Sequence, residues 1–464
     1  MKNDPIDFDY RFGFSMPEVS VFKAKKGINE TVVRSISKVK NEPDWMTEKR
    51  VSAFRIFQKL PMPRWGPSLA DIDFQSLFYY LKPTDKQVTS WEDLPKEIKE
   101  TYDRIGVPDA EKRFLAGVSA QYDSEVVYES AQKALTKQGV TFCDMDTAVK
   151  RFPDLVQEYF GTLIPAADNV FAALNSAVWS GGSFVHIPKG VKVNLPLQAY
   201  FRINSERFGQ FERTLIIAEE GSSVHYIEGC TAPVYTTDSL HAAVVEIFVK
   251  KNAHVRYTTV QNWSKNVYNL VTKRSQAEEG AHMEWIDCNI GSKITMKYPS
   301  IYLVGERAKG EVLSIALAGK GQVQDAGAKI YHKAPNTTSR VVSKSIAKDS
   351  GRTSYRGMVH VAPNAQGSKV YVSCDAMLID DASRSDTYPT MKVESTDVEV
   401  QHEATVERLG EEKLFYIMSR GISKSDAEGL LANGFLQPVS REIPLEYSIE
   451  LNRLINLEME GSVG

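Results

Sequence analysis

The chain has 464 residues, with 56 lysines and arginines against 59 aspartates and glutamates, so its formal net charge is -3. This near-neutral balance argues against a broad nucleic-acid surface and against a polybasic contact with membranes. No apolar run approaches the roughly 20 residues of a membrane-spanning helix, and the opening stretch MKNDPIDFDY is too polar for a secretory leader. We therefore expect a globular cytoplasmic protein of two or three domains that binds neither nucleic acid nor membrane.

The four cysteines, Cys143, Cys230, Cys288 and Cys374, are far apart and form no CxxC pair. A disulfide framework and a self-contained zinc or iron–sulfur site usually need clustered cysteines, so neither is expected. The sequence also lacks the GxxxxGK[ST] loop of ATP-binding proteins, and it has no GxGxxG, GxSxG or HExxH motif. These absences predict neither nucleotide binding nor hydrolase chemistry.

The first 165 residues predict a mixed, largely helical region. Residues 47–58 (TEKRVSAFRIFQ) have apolar residues at helical spacing, with Thr47 as the expected N-cap. Prolines at positions 61 and 63 forbid continuation of this helix. Further helices are predicted over residues 153–160 and 166–179.

Residues 166–408 differ, because short alternating segments rich in Val, Ile, Tyr and Thr are separated by Gly, Asn and Lys. Three of them align as an internal repeat: AEEGSSVHYIEGC, VKKNAHVRYTTVQ and AEEGAHMEWIDCN. Their shared turn positions are Gly221, Asn252 and Gly280, 31 and 28 residues apart. Gly and Asn accept the positive φ of a tight turn. Such a repeat predicts a solenoid or propeller, and its imperfect period favours a β-helix, with a β-sandwich as the alternative.

Residues 409–464 return to a helical pattern. Helices are predicted over residues 411–419, over residues 423–434 with Gly434 as the C-cap, and over residues 444–459. One interpretation is a cap on the end of the solenoid, since open strand edges invite aggregation. The other is a docking platform for a partner protein, and composition does not separate the two.

Cys374 lies in the strand-like segment VYVSCDAML, on the same face as the alternate apolar residues. His402 lies on the apolar face of a second segment, VEVQHEATV, whereas Glu403 faces the other way. The ordinary interpretation is a buried cysteine, a core histidine and a solvated glutamate. The functional interpretation is that Cys374 and His402 form half of a site that a partner protein completes. Glu403 could join this site only if a bulge or a strand end changed the direction of its side chain.

Cys230 is predicted to lie at a turn, because it occurs in the sequence GCTAP. A thiol at a turn is accessible, as sulfur exchange requires. Cys288 alternates with Ile286 and Ile290 and is predicted to be core, and Cys143 has no supporting polar neighbours.

Six stretches closely resemble the SufB family, the scaffold subunits of the Suf iron–sulfur cluster assembly machinery: SAVWSGGSFVHIPKGV, YIEGCTAP, YTTVQNWS, YVSCDAML, VEVQHEATV and FYIMSRGIS. The resemblance covers essentially the whole chain. It implies a mainly β protein with a right-handed parallel β-helix core and helical N-terminal and C-terminal regions. It also implies a non-enzymatic scaffold that carries a transient iron–sulfur cluster.

The implied partners are the ATPase SufC, which docks on the C-terminal region (409–464), the paralogue SufD, and a sulfur donor protein working with a cysteine desulfurase. Reduced flavin is linked to the family complex, although no flavin motif occurs in this sequence. The resemblance assigns Cys230 as the acceptor of persulfide sulfur. It places Cys374 at the SufD interface, where the nascent cluster forms with Glu403 and His402 beside it. A sulfur path through the β-helix is implied for Arg202, Asn204, Gln261, Trp263 and Lys273.

Some members of the SufB family carry an N-terminal CxxCxxxC cluster, but this chain has no cysteine before Cys143. The main alternative within the family is a SufD-type subunit, which is expected to lack the cysteine at position 374. Outside the family, the alternatives are a carbohydrate-active β-helix protein and a purely structural β-solenoid.

Overall fold

The computed structural model describes residues 20–84, 87–105, 115–232, 235, 237–442, 452, 454, 455 and 459. Within them the α-helices are α1 (Glu30–Lys40), α2 (Asp44–Phe57), α3 (Lys96–Ile105), α4 (Lys133–Lys137), α5 (Met145–Arg151), α6 (Pro153–Tyr159), α7 (Val170–Val178), α8 (Glu411–Met418) and α9 (Lys424–Ser440).

The strands that precede residue 232 are β1 (Phe22–Lys23), β2 (Leu81–Lys82), β3 (Gly117–Tyr122), β4 (Glu125–Ala131), β5 (Thr141–Asp144), β6 (Ser183–Ile187), β7 (Leu197–Arg202), β8 (Gly209–Gln210), β9 (Arg213–Ala218) and β10 (Ser223–Thr231). The later strands are β11 (Ser239–His241), β12 (Val244–Val249), β13 (His254–Trp263), β14 (Val267–Ala277), β15 (His282–Gly291), β16 (Ile294–Lys297), β17 (Ser300–Leu303), β18 (Lys309–Ala318), β19 (Val323–Ala326), β20 (Lys329–His332), β21 (Thr338–Ala347), β22 (Arg352–Val361), β23 (Ser368–Leu378), β24 (Arg384–Val393) and β25 (Val398–Arg408).

Apart from β1 and β2, which form a separate antiparallel pair, these strands build a parallel β-solenoid of about eight turns. A ten-stranded sheet runs in the order β25-β23-β21-β18-β15-β13-β10-β7-β3-β4, and a 13-stranded sheet forms the other side. Parallel pairing of consecutive turns confirms the β-helix and excludes the β-sandwich. The right-handed winding stays a prediction. Strands β3, β4 and β5 also join these sheets, so strand pairing continues N-terminal to residue 165.

A ladder of left-handed turn residues runs along one edge of the solenoid. The predicted turn positions Gly221, Asn252 and Gly280 have φ values of 66°, 55° and 62°. Each backbone N–H donates to a carbonyl of the next coil, for example Gly221 to Lys251 at 2.8 Å. The same bond recurs at Gly190, Arg307, Asn336 and Gly367. The repeat visible in three segments of the sequence therefore extends over seven coils.

The solenoid has an apolar interior, here called the lumen, and outer faces that helices cover. The lumen is filled by alternate residues of both sheets, among them Val255, Tyr257 and Trp285. Helices α1, α2 and α7 cover the N-terminal part of the 13-stranded sheet. Helix α9 packs on the outer face of the ten-stranded sheet, where Cys288 is buried as predicted. Because both faces are covered, most strands are buried throughout, as parallel sheets usually are.

The helix predictions are correct in position but not in their caps. Helix α2 begins at Asp44 after Pro43, so Thr47 is an interior residue and its prediction as N-cap was wrong. Helix α9 continues to Ser440, so the prediction of Gly434 as its C-cap was also wrong. The helix predicted over 444–459 lies mostly outside the described residues. In the described part of the chain, no helix is both long and apolar enough to span a bilayer.

The two ends of the solenoid differ. At the N-terminal end, β3, β4 and the helices cover the first coils. At the other end, β24 pairs only with β22 and β25 only with β23 among the described strands. Both strands are largely exposed, including the apolar side chains of Tyr388, Met391 and Val406. This last coil therefore presents an open β edge.

A buried carboxylate attaches the helical region to the solenoid. Glu246 of β12 accepts hydrogen bonds from the backbone N–H groups of Gly161, Leu163 and Ile164 at 2.8–2.9 Å. It also forms a 2.6 Å ion pair with the buried Arg213 of β9. Four donors satisfy one charge, which is the condition under which a buried ion pair is stable.

We expect Glu246→Ala to lower the free energy of unfolding by about 3–5 kcal/mol, because it leaves the Arg213 guanidinium buried without its partner. Urea unfolding followed by circular dichroism measures this change. The control is Glu220→Ala, which removes an exposed pair with Lys189 and should leave the midpoint unchanged. Equal unfolding midpoints for the two variants would refute the stabilising role assigned to Glu246.

Candidate functional site

The inner face of the ten-stranded sheet carries one continuous line of polar side chains, which we call the polar row. The strand register stacks its members on successive coils: Glu228, Thr259, Asp287, Ser314, Ser343 and Cys374. All six side chains are buried. Five inter-strand steps of about 4.8 Å separate the first member from the last, so the row is about 24 Å long.

Cys230 lies beside the start of the polar row. It belongs to β10 and pairs with Phe201 on one side and Gln261 on the other, so its predicted position at a turn was wrong. Its thiol is buried and donates to Glu228 Oε1 at 3.5 Å. Burial, and then the charge of Glu228, raise the pKa of Cys230 well above its ordinary value. At neutral pH the thiol is therefore protonated.

Two lysines bring positive charge into the lumen next to the polar row. Asp287 Oδ1 lies 3.3 Å from Nζ of Lys273 and 2.9 Å from Nζ of Lys297. Burial opposes ionisation, but these ammonium groups lower the pKa of Asp287 to about 2. Lys273 also donates to Thr259 and lies over the Tyr257 ring. Its charge favours the thiolate of Cys230, against the larger effects of burial and Glu228.

The hydrogen bonds continue from these lysines across the lumen. Lys297 donates to Gln261 Oε1 at 3.2 Å, and Asn269 donates to the same oxygen at 2.8 Å. Asn269 Oδ1 lies 2.8 Å from His241, whose other ring nitrogen is 3.0 Å from Glu212. The His241 ring packs on Trp263, with 4.7 Å between centroids. Gln261, Trp263 and Lys273 of the predicted path thus lie together in the lumen.

Arg202 and Asn204 are placed differently. Arg202 is buried and donates to Thr231 at 3.1 Å. Arg202 and Thr231 are partners in the strand register, and their side chains lie on the face of the sheet opposite to that of Cys230. The backbone of Asn204 donates to Asp123 at 2.7 Å and accepts from Tyr235. Arg202 therefore lies on the opposite face from Gln261, Trp263 and Lys273, and Asn204 is held beside it by its backbone.

At the open end, Cys374 and His402 come together. Cys374 is 4% exposed, and its Sγ lies 3.9 Å from His402 Nε2. Burial raises the pKa of Cys374 to about 12, although a hydrogen bond from the Tyr355 hydroxyl acts in the opposite direction. His402 is half-buried in the last strand. A thiol and an imidazole, two groups of the kind that can bind iron, thus lie under the exposed coil.

Glu403 does not join this pair. It pairs with Ser373 in an unbroken register of β25, and it is exposed on the face opposite to His402. The alternation predicted this orientation, and no bulge reverses it. Within this chain the carboxylate therefore points away from Cys374.

Several residues of the site were missed by sequence reasoning: Glu212, Glu228, His241, Thr259, Asp287, Lys297, Ser314, Ser343 and Tyr355. A signal for three of them was present. Glu228, Thr259 and Asp287 occupy the same position of the three aligned repeats. Equivalent positions of a parallel solenoid stack directly, so a repeated polar residue on an apolar face indicates a buried polar row.

Comparisons with known proteins agree with this architecture. Residues 201–435 match the family model described as "SUF system FeS cluster assembly, SufBD core domain", and residues 34–199 match "SufBD protein N-terminal region". The chain is 56% identical over 463 residues to an "Iron-sulfur cluster assembly SufBD family protein" of Staphylococcus haemolyticus (strain JCSC1435), covering 100% of both chains. A protein of the same description from Staphylococcus aureus (strain MRSA252) shows the same identity and coverage. The chain belongs to the SufBD family of iron–sulfur cluster assembly proteins.

Proposed function

We propose that this SufBD protein is a SufB-type scaffold and not an enzyme. It accepts sulfur at Cys230 and builds an iron–sulfur cluster, its cargo, at Cys374 and His402. The observation that carries the proposal is the thiol–imidazole pair, with Sγ and Nε2 3.9 Å apart, directly beneath an exposed terminal coil. A SufD-type subunit is expected to lack this cysteine, which favours the SufB assignment.

The open coil supports a partner of the same architecture. Its edge leaves backbone N–H and C=O groups and apolar side chains exposed, a surface that tends to pair with another strand. A paralogous β-solenoid such as SufD would extend the sheets and bury Tyr388, Met391 and Val406. It would also supply the cluster ligands that one thiol and one imidazole lack. Glu403 would contribute as a ligand only after the last strand moves.

Sulfur enters by thiol exchange at Cys230. Glu228, which accepts a hydrogen bond from the Cys230 thiol, first takes its proton. The resulting thiolate attacks the outer sulfur of the donor's persulfide, and the donor's inner sulfur leaves as a thiol after taking the proton of that outer sulfur. The product is a persulfide anion on Cys230. Lys273 and Lys297 supply positive charge nearby, and Gln261 Nε2 is buried without an acceptor among the described residues. These groups suit an anionic sulfur species in the lumen.

Delivery to Cys374 needs a route, because about 24 Å separates the ends of the polar row. No single side chain spans that length. The hydroxyls of Thr259, Ser314 and Ser343 offer hydrogen bonds at three of the four intermediate coils, and Asp287, paired with two lysines, occupies the fourth. We place the sulfur path along this row, with Gln261, Trp263 and Lys273 beside it and with Arg202 on the opposite face of its strand.

The C-terminal region serves both as a cap on the solenoid and as a docking platform, the two roles that its sequence left open. Helix α9 covers the outer face of the ten-stranded sheet, whereas α8 exposes Phe415 (73%) and Tyr416 (59%). An exposed aromatic pair on a helix is typical of a docking surface. We propose that α8 binds the ATPase SufC, whose closure moves the terminal coil and opens the Cys374 site.

The compartment proposed is the cytoplasm, since all four cysteines are free thiols. A sulfur donor protein with its cysteine desulfurase completes the proposed set of partners.

The proposed cargo is the iron–sulfur cluster alone, and no role is assigned to flavin.

Cys374→Ala is expected to abolish cluster build-up because it removes the thiolate ligand, while the fold stays intact. The measurement is the anaerobic visible spectrum of the chain co-purified with SufC and SufD. Cys288→Ala, which removes a buried thiol beneath α9, is the matched control and should retain the cluster. Normal clusters on the Cys374 variant would overturn the assigned site.

Cys230→Ser is expected to prevent loading of sulfur from the donor, since a hydroxyl does not form a persulfide. Persulfide labelling after incubation with donor, desulfurase and cysteine measures the loading, with Cys143→Ser as the control. Retained label on the Cys230 variant, mapped by mass spectrometry to another cysteine, would contradict the acceptor role. A SufD-type subunit would show no dependence on either residue.

Phe415→Asp with Tyr416→Asp is expected to weaken SufC binding by at least about tenfold, as loss of an aromatic anchor typically does. Isothermal titration with purified SufC measures the affinity. Leu430→Asp, which charges an exposed apolar residue of α9, is the control. If only the control loses affinity, α9 and not α8 is the docking helix.

A further inference from the structure

A second group of metal-ligating side chains lies outside the lumen. His254, His282 and Glu284 offer ligand atoms that all lie within 4.8 Å of one another. They belong to β13 and β15, and their parity places them on the outer face of the ten-stranded sheet. Glu311 of β18 lies beside them, with Oε1 3.2 Å from His282 Nε2. Nothing in the proposed scaffold chemistry uses these residues.

The strand register fixes the cluster. His254 and His282 pair directly on adjacent coils, and their rings stack with 4.8 Å between centroids and 10° between planes. Glu284 follows His282 by two residues and so faces the same side. Ligands held on neighbouring strands are positioned more rigidly than ligands on loops.

The polar atoms of the cluster are arranged as a metal site requires. Nε2 of His254 contacts Glu284 Oε1, so one proton joins them, and a metal ion can replace that proton. Nε2 of His282 is shielded from solvent and lies 3.2 Å from Glu311 Oε1, outside hydrogen-bond geometry. Arg256 donates to the other oxygen of Glu284 at 2.6 and 2.9 Å. Such a partner orients a carboxylate that binds through one oxygen.

We propose that His254, His282 and Glu284, with Glu311 as a fourth ligand, bind one divalent first-row transition-metal ion such as Fe²⁺, Co²⁺ or Zn²⁺. Two imidazoles and a carboxylate match the donor preference of these ions and not that of Mg²⁺ or Ca²⁺. In a tetrahedral site the ligand atoms are about 3.3 Å apart. The observed spread of 4.8 Å closes by rotation of the partly exposed imidazoles.

The alternative is a hydrogen-bonded histidine–glutamate ladder that binds no metal. Anaerobic titration of the full chain with Co²⁺ separates the two, because nitrogen and oxygen ligands give weak visible bands without thiolate charge-transfer absorption. One equivalent should bind with such a spectrum. His254→Asn and His282→Asn should each weaken Co²⁺ binding by at least about tenfold, the loss caused even by outer-sphere changes.

His186→Asn is the matched control, because His186 faces the single carboxylate of Glu219 on the same solenoid and should leave affinity unchanged. The Cys374→Ala background removes the thiol site of the terminal coil and should leave this Co²⁺ equivalent intact. Bound metal should also raise the unfolding midpoint of the parent chain but not of the His254 and His282 variants. Equal Co²⁺ affinity in these variants and the parent chain, or no binding by the parent chain, would overturn the proposal.

Discussion

The in-register stacking of parallel coils is the constraint on which the other features depend. Each coil lies about 4.8 Å from the next, and its inward residues fall on those of its neighbour. A residue type repeated in the sequence therefore becomes a continuous column in space. The turn ladder beginning at Gly190 keeps this register, because each left-handed residue hydrogen-bonds to the following coil. A slip of one residue would turn the polar row outward and expose the apolar lumen.

Charged groups in the lumen are tolerated because they are arranged as a network and not as isolated ions. Burial alone would cost each ion several kcal/mol. Asp287 lies between Lys273 and Lys297, and its lowered pKa shows that attraction outweighs burial there. Glu246 satisfies Arg213 in a similar way on the outer side. The outer ion pair secures the helical region, whereas the inner network places two lysines and the carboxylate of Asp287 near a buried thiol.

The solenoid could be predicted from the sequence because its turn residues and alternating strands recur at regular intervals, and such a repeat is visible without knowledge of tertiary contacts. The turn positions Gly221, Asn252 and Gly280 were recognised, but Arg307 was not, since arginine rarely adopts positive φ. The alternation around Cys374 and Glu403 gave their opposite orientations correctly. The turn assigned to Cys230 failed because GCTAP contains turn-forming residues, whereas pairing with neighbours on both sides extends β10 through the cysteine. Contacts across the lumen between the two sheets, such as Tyr355 with Cys374, leave no local pattern to detect.

In the proposed scaffold, the burial of Cys374 has a direct consequence for how a cluster is built. Its raised pKa makes deprotonation about 4 kcal/mol harder than for an ordinary thiol. Under this proposal, the resting chain keeps the Cys374 thiol protonated and protected from oxidation. Iron supplies the missing stabilisation on arrival, because a bound cation strongly favours the thiolate. Iron must first reach the thiol, and the strand that covers it, β25, has only one described neighbour. In this proposal, movement of that terminal strand opens the site, so a partner that pairs with its edge would control assembly.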